Sequence, residues 1–287
     1  MAGGSMCSFG SDKGSGGRVV ALSFLLVFLL LLATATHAAQ SQASGPVSFV
    51  GSAFNGSARG SETLTIDRPG GVAAGDVMVA MLGGDYSIPG SSPGWTKYAE
   101  RNENLDLTGQ AFYKVATGDE PSSYTWPIIG GSSKKIASGT IVVFRGADPD
   151  DPMFSFAING ETTGTNSFSD CPSTDGVAGG ALVCVWIHDD PQRPQAPTGM
   201  VPLSVFTIPG LTGNDDGHAT AYKLLTNDGP TGVQAAALSS SVSGGGNDMA
   251  LAVVVRPYTL DTTAPVVGVT WATLVTNTSD FDLIFTA

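Results

Sequence analysis

Residues Gly71–Ala80 read GVAAGDVMVA, and the chain writes them again at Gly176–Val185 as GVAGGALVCV, 105 residues later. Neighbouring residues return in the same order. Gly94-Trp95-Thr96 comes back as Gly199-Met200-Val201, also 105 apart. The run Gly109–Lys114 (GQAFYK) is echoed by Gly217–Lys223 (GHATAYK) at an offset of 108 to 109, and Ile141–Arg145 (IVVFR) by Ala252–Arg256 (AVVVR) at 111. An offset that drifts while order is kept is what small insertions do to a duplicated unit, so the repeat sets the architecture.

Between these landmarks the chain alternates short apolar or β-branched runs with Gly, Pro, Asn, Asp and Ser. Thr63-Leu64-Thr65-Ile66 alternates polar and apolar, and Ile141–Phe144 is a short apolar run; both are strand patterns. Strands are expected near Val47–Ala53, Glu62–Asp67, Asp76–Leu82, Thr96–Glu103, Thr108–Ala116, Tyr124–Ile128 and Ile136–Arg145. In the second copy they fall near Met153–Ile158, Asn166–Ser169, Ala181–Ile187, Leu203–Ile208, His218–Leu225, Thr231–Leu238 and Asp248–Arg256. No stretch of either copy keeps a 3.6-residue apolar period long enough for a helix. The expected fold is all-β: two tandem antiparallel β-sandwich repeats, Ig-like or jelly-roll-like, after an N-terminal signal helix. A unit of about 100 residues can bury its own core, which favours two abutting sandwiches over one larger one.

The remaining boundaries follow from composition. Lys13 and Arg18 precede a 17-residue apolar run, Val19–Ala35, followed by small residues with cleavage expected after Ala38 or Ala39. That is the layout of a secretory signal peptide (1–39); the alternative is an uncleaved signal anchor, the chain's one route to a membrane. A polar linker (40–45), repeat 1 (46–149) and repeat 2 (150–258) follow. The last segment, 259–287, opens with Asp261-Thr262-Thr263-Ala264-Pro265 and stops after one strand-like alternation, as a further domain cut short would. The expected location is secreted or cell-surface.

Net charge is −12, with 13 Lys and Arg in 287 residues, which excludes a basic nucleic-acid footprint. With Cys7 in the leader, Cys171 and Cys184 remain, and in an oxidising compartment they are expected to pair, two separate buried thiols being the alternative. Their counterparts in the first copy are Arg68 or a neighbour and Val79. Two Cys without a nearby pair of His make no tetrahedral metal set, so neither a metal nor a cofactor is expected.

The other polar clusters read as turns. His188-Asp189-Asp190, Asn214–His218 and Asp148–Asp151 carry oxygen ligands but lack the spacing of a calcium loop, so solvated turn chemistry is the simpler account. The Ser- and Gly-rich run Ser239–Asn247 lacks G-x-S-x-G, and a triad would need His188 or His218 within reach of a Ser and a carboxylate. Glu62, Glu100, Glu103, Glu120 and Glu161 read, for the most part, as exposed strand or loop residues rather than a glycosidase pair. Trp95 and Trp126 are the candidates for stacking on a sugar if exposed. Trp126 lies in the row Tyr124–Trp126–Ile128, which reads as a core face, and Met200 replaces Trp95 in the second copy.

The series GVAAGDVMVA, PGWT (93–96), FYKVATGDEPSSYTW (112–126) and ASGTIVVFRG (137–146) resembles a module of uncharacterised extracellular bacterial proteins. The tail DTTAPVV followed by SDFDLIFTA resembles the opening of a bacterial Ig-like domain. The resemblance implies an exported, multi-domain, repeat-bearing surface protein and brings no catalytic residue. The second copy departs from the pattern at Met200 and in the Pro-rich run after Asp190. The function expected is a non-catalytic, adhesin-like or spacer module whose partner is an extracellular protein or glycan; the alternative is a carbohydrate-binding module of an extracellular enzyme.

Overall fold

The computed structural model describes residues 45–103, 107–130, 133, 135–161, 169–189, 194–208, 216–238 and 247–259. The expected leader, most of the linker, residues 166–168 of an expected strand, Asp190, Asn214, Asp215 and the terminal segment from residue 260 lie outside them.

The first copy contributes β1 (Ser48–Gly56), β2 (Thr63–Asp67), β3 (Val77–Asp85), β4 (Ile88–Pro89), β5 (Thr96–Glu103), β6 (Leu107–Val115), β7 (Ser123–Ile129) and β8 (Ile136–Arg145). The second contributes β9 (Met153–Glu161), β10 (Asp175–Gly176), β11 (Ala181–His188), β12 (Pro194–Gln195), β13 (Val201–Ile208), β14 (Asp216–Leu224), β15 (Gly229–Pro230), β16 (Ala237–Leu238) and β17 (Asp248–Val255). Each copy builds one five-stranded antiparallel sheet, ordered β1-β8-β3-β6-β5 and β9-β17-β11-β14-β13. The order is the same, strand for strand. Both first strands carry a bulge at the matching place, between Phe49 and Gly51 and opposite Val254/Val255.

The two sheets pack face to face. Val77, Val79, Met81, Val142 and Phe144 of the first copy share one apolar core with Val183, Val185, Ile187, Leu251 and Val253 of the second. Sheet order runs in opposite senses across that core, with β1 above β13 and β5 above β9, while equivalent strands point the same way. A two-fold rotation about an axis along the strands therefore relates the copies. This joining depends on glycine in the first copy. A Cβ on Gly83 would lie 2.8 Å from Ile187 Cγ2, and one on Gly109 would lie 2.5 Å from Leu251 Cδ1. Glycine inside a strand marks close approach, and here it admits the opposite copy.

Each sheet also buries its outer face. In the first copy, β2, β7 and β4 form a second sheet over Met78, Ala80, Leu82 and Phe112, with Trp95 and Trp126 in the core between. In the second, the described residues of this layer form the short ladders β10–β15 and β12–β16 and a bridge between Cys171 and Gln234. The strand expected at Thr231–Leu238 breaks up here. Gly232 has a φ of +72°, and the Gln234 side-chain amide donates to the Thr231 and Gly232 carbonyls while its backbone pairs with Cys171 alone in an isolated bridge. The Cys171–Cys184 disulfide, with Cα atoms 6.0 Å apart, joins this thin layer to β11.

The structure corrects the repeat alignment by one residue. Gly75 and Gly179 share φ near +80° and donate to the matching carbonyls of Ala116 and Leu225, which sets the offset at 104 through β3 and β11. Cys184 therefore matches Ala80, not Val79, and Cys171 matches Leu64, which bridges Trp126 as Cys171 bridges Gln234. The cause is a one-residue deletion in the turn before β11. In a strand such a slip exchanges the two faces.

Gly83→Val should clash with Ile187 and cost about 1–3 kcal/mol of stability. Ile187→Ala in the same chain should recover part of that loss, measured as a coupling of about 1 kcal/mol in a double-mutant cycle of urea melts.

Candidate functional site

Polar side chains enter the shared core at one place. Ser138 and Thr140 of β8 face Ser204 of β13 and His218 and Thr220 of β14, all at most 4 % exposed. His218 Nδ1 lies 3.0 Å from Ser138 Oγ; its Nε2 lies 3.2 Å from Thr140 Oγ1 and 2.9 Å from Thr220 Oγ1. Thr140 and Ser204 hydroxyls are 2.7 Å apart. Phe206 stacks on the imidazole with ring centres 5.0 Å apart, and Phe54 stacks on Phe206 at 5.1 Å. The cluster ties hydroxyls of one copy to the imidazole of the other.

Asp216 lies next to this cluster and is fully buried. Burial pushes its carboxyl up to about 7; the Ser138 hydroxyl works against that and Asp189 adds to it. Neither carboxylate oxygen gains a hydrogen bond of good geometry. Burial pushes the His218 imidazole down to about 3. The Asn214–His218 run has the composition of a solvated turn; its described part, Asp216–His218, is instead the buried start of β14, held by pairing of Asp216 with Ile208 and Gly217 with His188.

A Ser, a His and an Asp are thus close, but not in a triad. Both imidazole nitrogens face hydroxyls, and the carboxylate lies beside the serine. A triad needs the carboxylate on the second ring nitrogen, orienting a base whose pKa lies near the working pH. An imidazole that stays neutral down to about pH 3 is a weak base. What the arrangement does chemically is hold a neutral imidazole between hydroxyl groups.

The other sequence candidates go elsewhere. Trp95 and Trp126 are 7 % and 0 % exposed, tilted at 56° with ring centres 5.3 Å apart, so neither offers a face to a sugar. Glu62, Glu100 and Glu103 pair with Lys135, Lys97 and Arg101. Asp148 accepts the Asp150 and Asp151 amides, as a turn residue does. His188 is 2 % exposed at the end of β11, with Asp189 next to it. Among the described residues no three His, Cys, Asp or Glu side chains form a metal-ligand set.

The chain enters at Val47, whose amide donates to Gly179 O, and leaves at Tyr258, whose amide donates to Gly146 O. Both contacts lie at the same end of the paired sheets. Asp85, His188, Ile208, Asp216 and Asp248 mark the opposite end. No protein-family model, no curated protein and no solved structure matches this chain.

The two buried groups give opposite pH slopes. Asp216, raised in the folded state from about 4, makes stability fall as pH rises from about 4 to 7. His218, lowered from about 6.5, makes stability rise with pH between about 3 and 6.5. Asp216→Asn should leave only the rising slope, so urea melts of the variant should gain stability from pH 4 to 6.5 and stay level up to pH 8.

Proposed function

We propose that the chain is an exported, non-catalytic, adhesin-like β-sandwich module of a larger secreted or cell-surface protein, presenting the segments at the end opposite its attachment. The observation that carries this reading is that the chain enters and leaves at one end of the paired sheets. An in-line spacer passes the chain from one end to the other. A module attached at one end holds the other away from its carrier, where joining segments do the recognising. The disulfide suits the oxidising compartment of exported proteins. The apolar leader pattern and the resemblance to extracellular bacterial modules point the same way, and His218, neutral and held between hydroxyls, serves as structure rather than as a base. The partner is an extracellular protein or glycan.

The test is binding of the full chain to arrays of extracellular proteins and glycans. Ile129→Glu, at an apolar residue 57 % exposed at the presented end, should weaken retention at least severalfold. Arg256→Ala, at the attachment end, should leave it unchanged. The reverse pattern overturns the reading.

A further inference from the structure

The two copies differ at a buried acid, and the difference leaves a cavity. Residues 114–123 read KVATGDEPSS, and residues 223–232 read KLLTNDGPTG. Lys, Thr, Asp and Pro are common to both, and Gly229 stands where the first copy has Glu120.

In the first copy the Glu120 carboxylate is 2.7 and 2.9 Å from Lys114 Nζ. It also accepts the Thr117 amide at 2.7 Å, the Thr117 hydroxyl at 3.1 Å and the Tyr124 hydroxyl at 2.7 Å. Burial pushes this carboxyl up, but the hydrogen bonds from Lys114, Thr117 and Tyr124 outweigh it and leave Glu120 below the usual carboxylate range. The first copy thus contains a worked example of what the equivalent place in the second holds best.

In the second copy Lys223 and Thr226 repeat Lys114 and Thr117, but among the described residues no carboxylate comes between them. A cavity of about 290 Å³ lined by residues 223–231 lies there instead. A Cβ built on Gly229 meets no atom within 4 Å. The Lys223 ammonium donates to one neutral acceptor, the Thr231 carbonyl, at 3.1 Å. An ammonium has three protons, so two stay directed elsewhere. The Thr226 hydroxyl accepts from the Asn227 amide at 3.1 Å and keeps its own proton to donate. Asp228 does not replace Glu120: it matches Asp119, which the first copy carries as well, and its Oδ1 accepts the Ala178 amide. Burial lowers the Lys223 pKa, as expected of an ammonium with no carboxylate beside it.

We propose that this cavity binds the carboxylate group of a small ligand, held by Lys223 and Thr226 as Lys114 and Thr117 hold Glu120. The ligand's carboxylate takes the place of the Glu120 side chain. Two sources share that chemistry, an acidic sugar and the C-terminus of a peptide. The site lies near the attachment end, on the outer face of the second sheet, and is independent of the display reading.

The test is amide NMR of the isotope-labelled full chain titrated with sodium acetate and, separately, with acetamide. Acetate should shift the Thr226 amide and its neighbours saturably, with a Kd of about 1 mM, and acetamide should not. Lys223→Met should weaken binding roughly tenfold or more, as loss of a charged hydrogen bond does. Thr226→Val should weaken it severalfold, and both variants should melt as the parent does. Glucuronate binding tighter than acetate assigns an acidic sugar, and acetyl-alanine binding tighter assigns a peptide terminus; equal affinities leave the carboxylate alone as the determinant. Equal shifts from acetamide, absence of saturation, or undiminished binding by a folded Lys223→Met overturn the proposal.

Discussion

Everything in the molecule depends on one apolar contact, the face-to-face packing of the two five-stranded sheets. β3 and β11 lie at its centre and are buried along their full lengths. Each is covered by the opposite copy on one side and by its own outer layer on the other. Fully burying a Val, Leu or Ile side chain contributes about 1.5–3 kcal/mol, and the shared core takes such residues from both copies. Neither sheet could expose that face to water, so the copies stabilise each other.

Duplication followed by divergence explains how such a core closes. Identical sheets meeting across a two-fold axis would bring identical side chains together, large against large. The chain avoids this by asymmetry. Gly83 faces Ile187, its own equivalent, and Gly109 makes room where its equivalent, His218, brings in a polar cluster. The outer layers show a second exchange. Trp126 fills the outer core of the first copy from β7; in the second, Gln234 takes that place and the bulk moves to Trp186 on β11, where the first has Leu82. The described outer layer of the second copy is tied to β11 by the Cys171–Cys184 disulfide.

The sequence shows the strands and their order plainly, because turn residues and repeated motifs are local signals. Which face each strand presents is harder. Val77–Leu82 and Ala181–Ile187 are apolar on both faces, so alternation cannot orient them, and one deleted residue was enough to misplace Val79 against Cys184. The same two-sided apolarity, with Gly83 and Gly109 inside strands, was the available sign that each sheet is a middle layer. The buried start of β14 was hidden for another reason. Asn-Asp-Asp-Gly-His has turn composition, and only pairing with β13 and β11 across the fold makes it a strand. The vacant place opposite Lys223 is legible only when the repeats are aligned through Lys114 and Lys223, since Glu120 and Gly229 look like ordinary loop residues alone.

The claim that the copies share one core is tested most directly by scanning calorimetry of the full chain. A shared core requires a single transition for residues 45–259, with the calorimetric enthalpy equal to the van't Hoff enthalpy. Two separable transitions, with reduction of the Cys171–Cys184 disulfide lowering only one of them, would show two independent sandwiches and contradict the account.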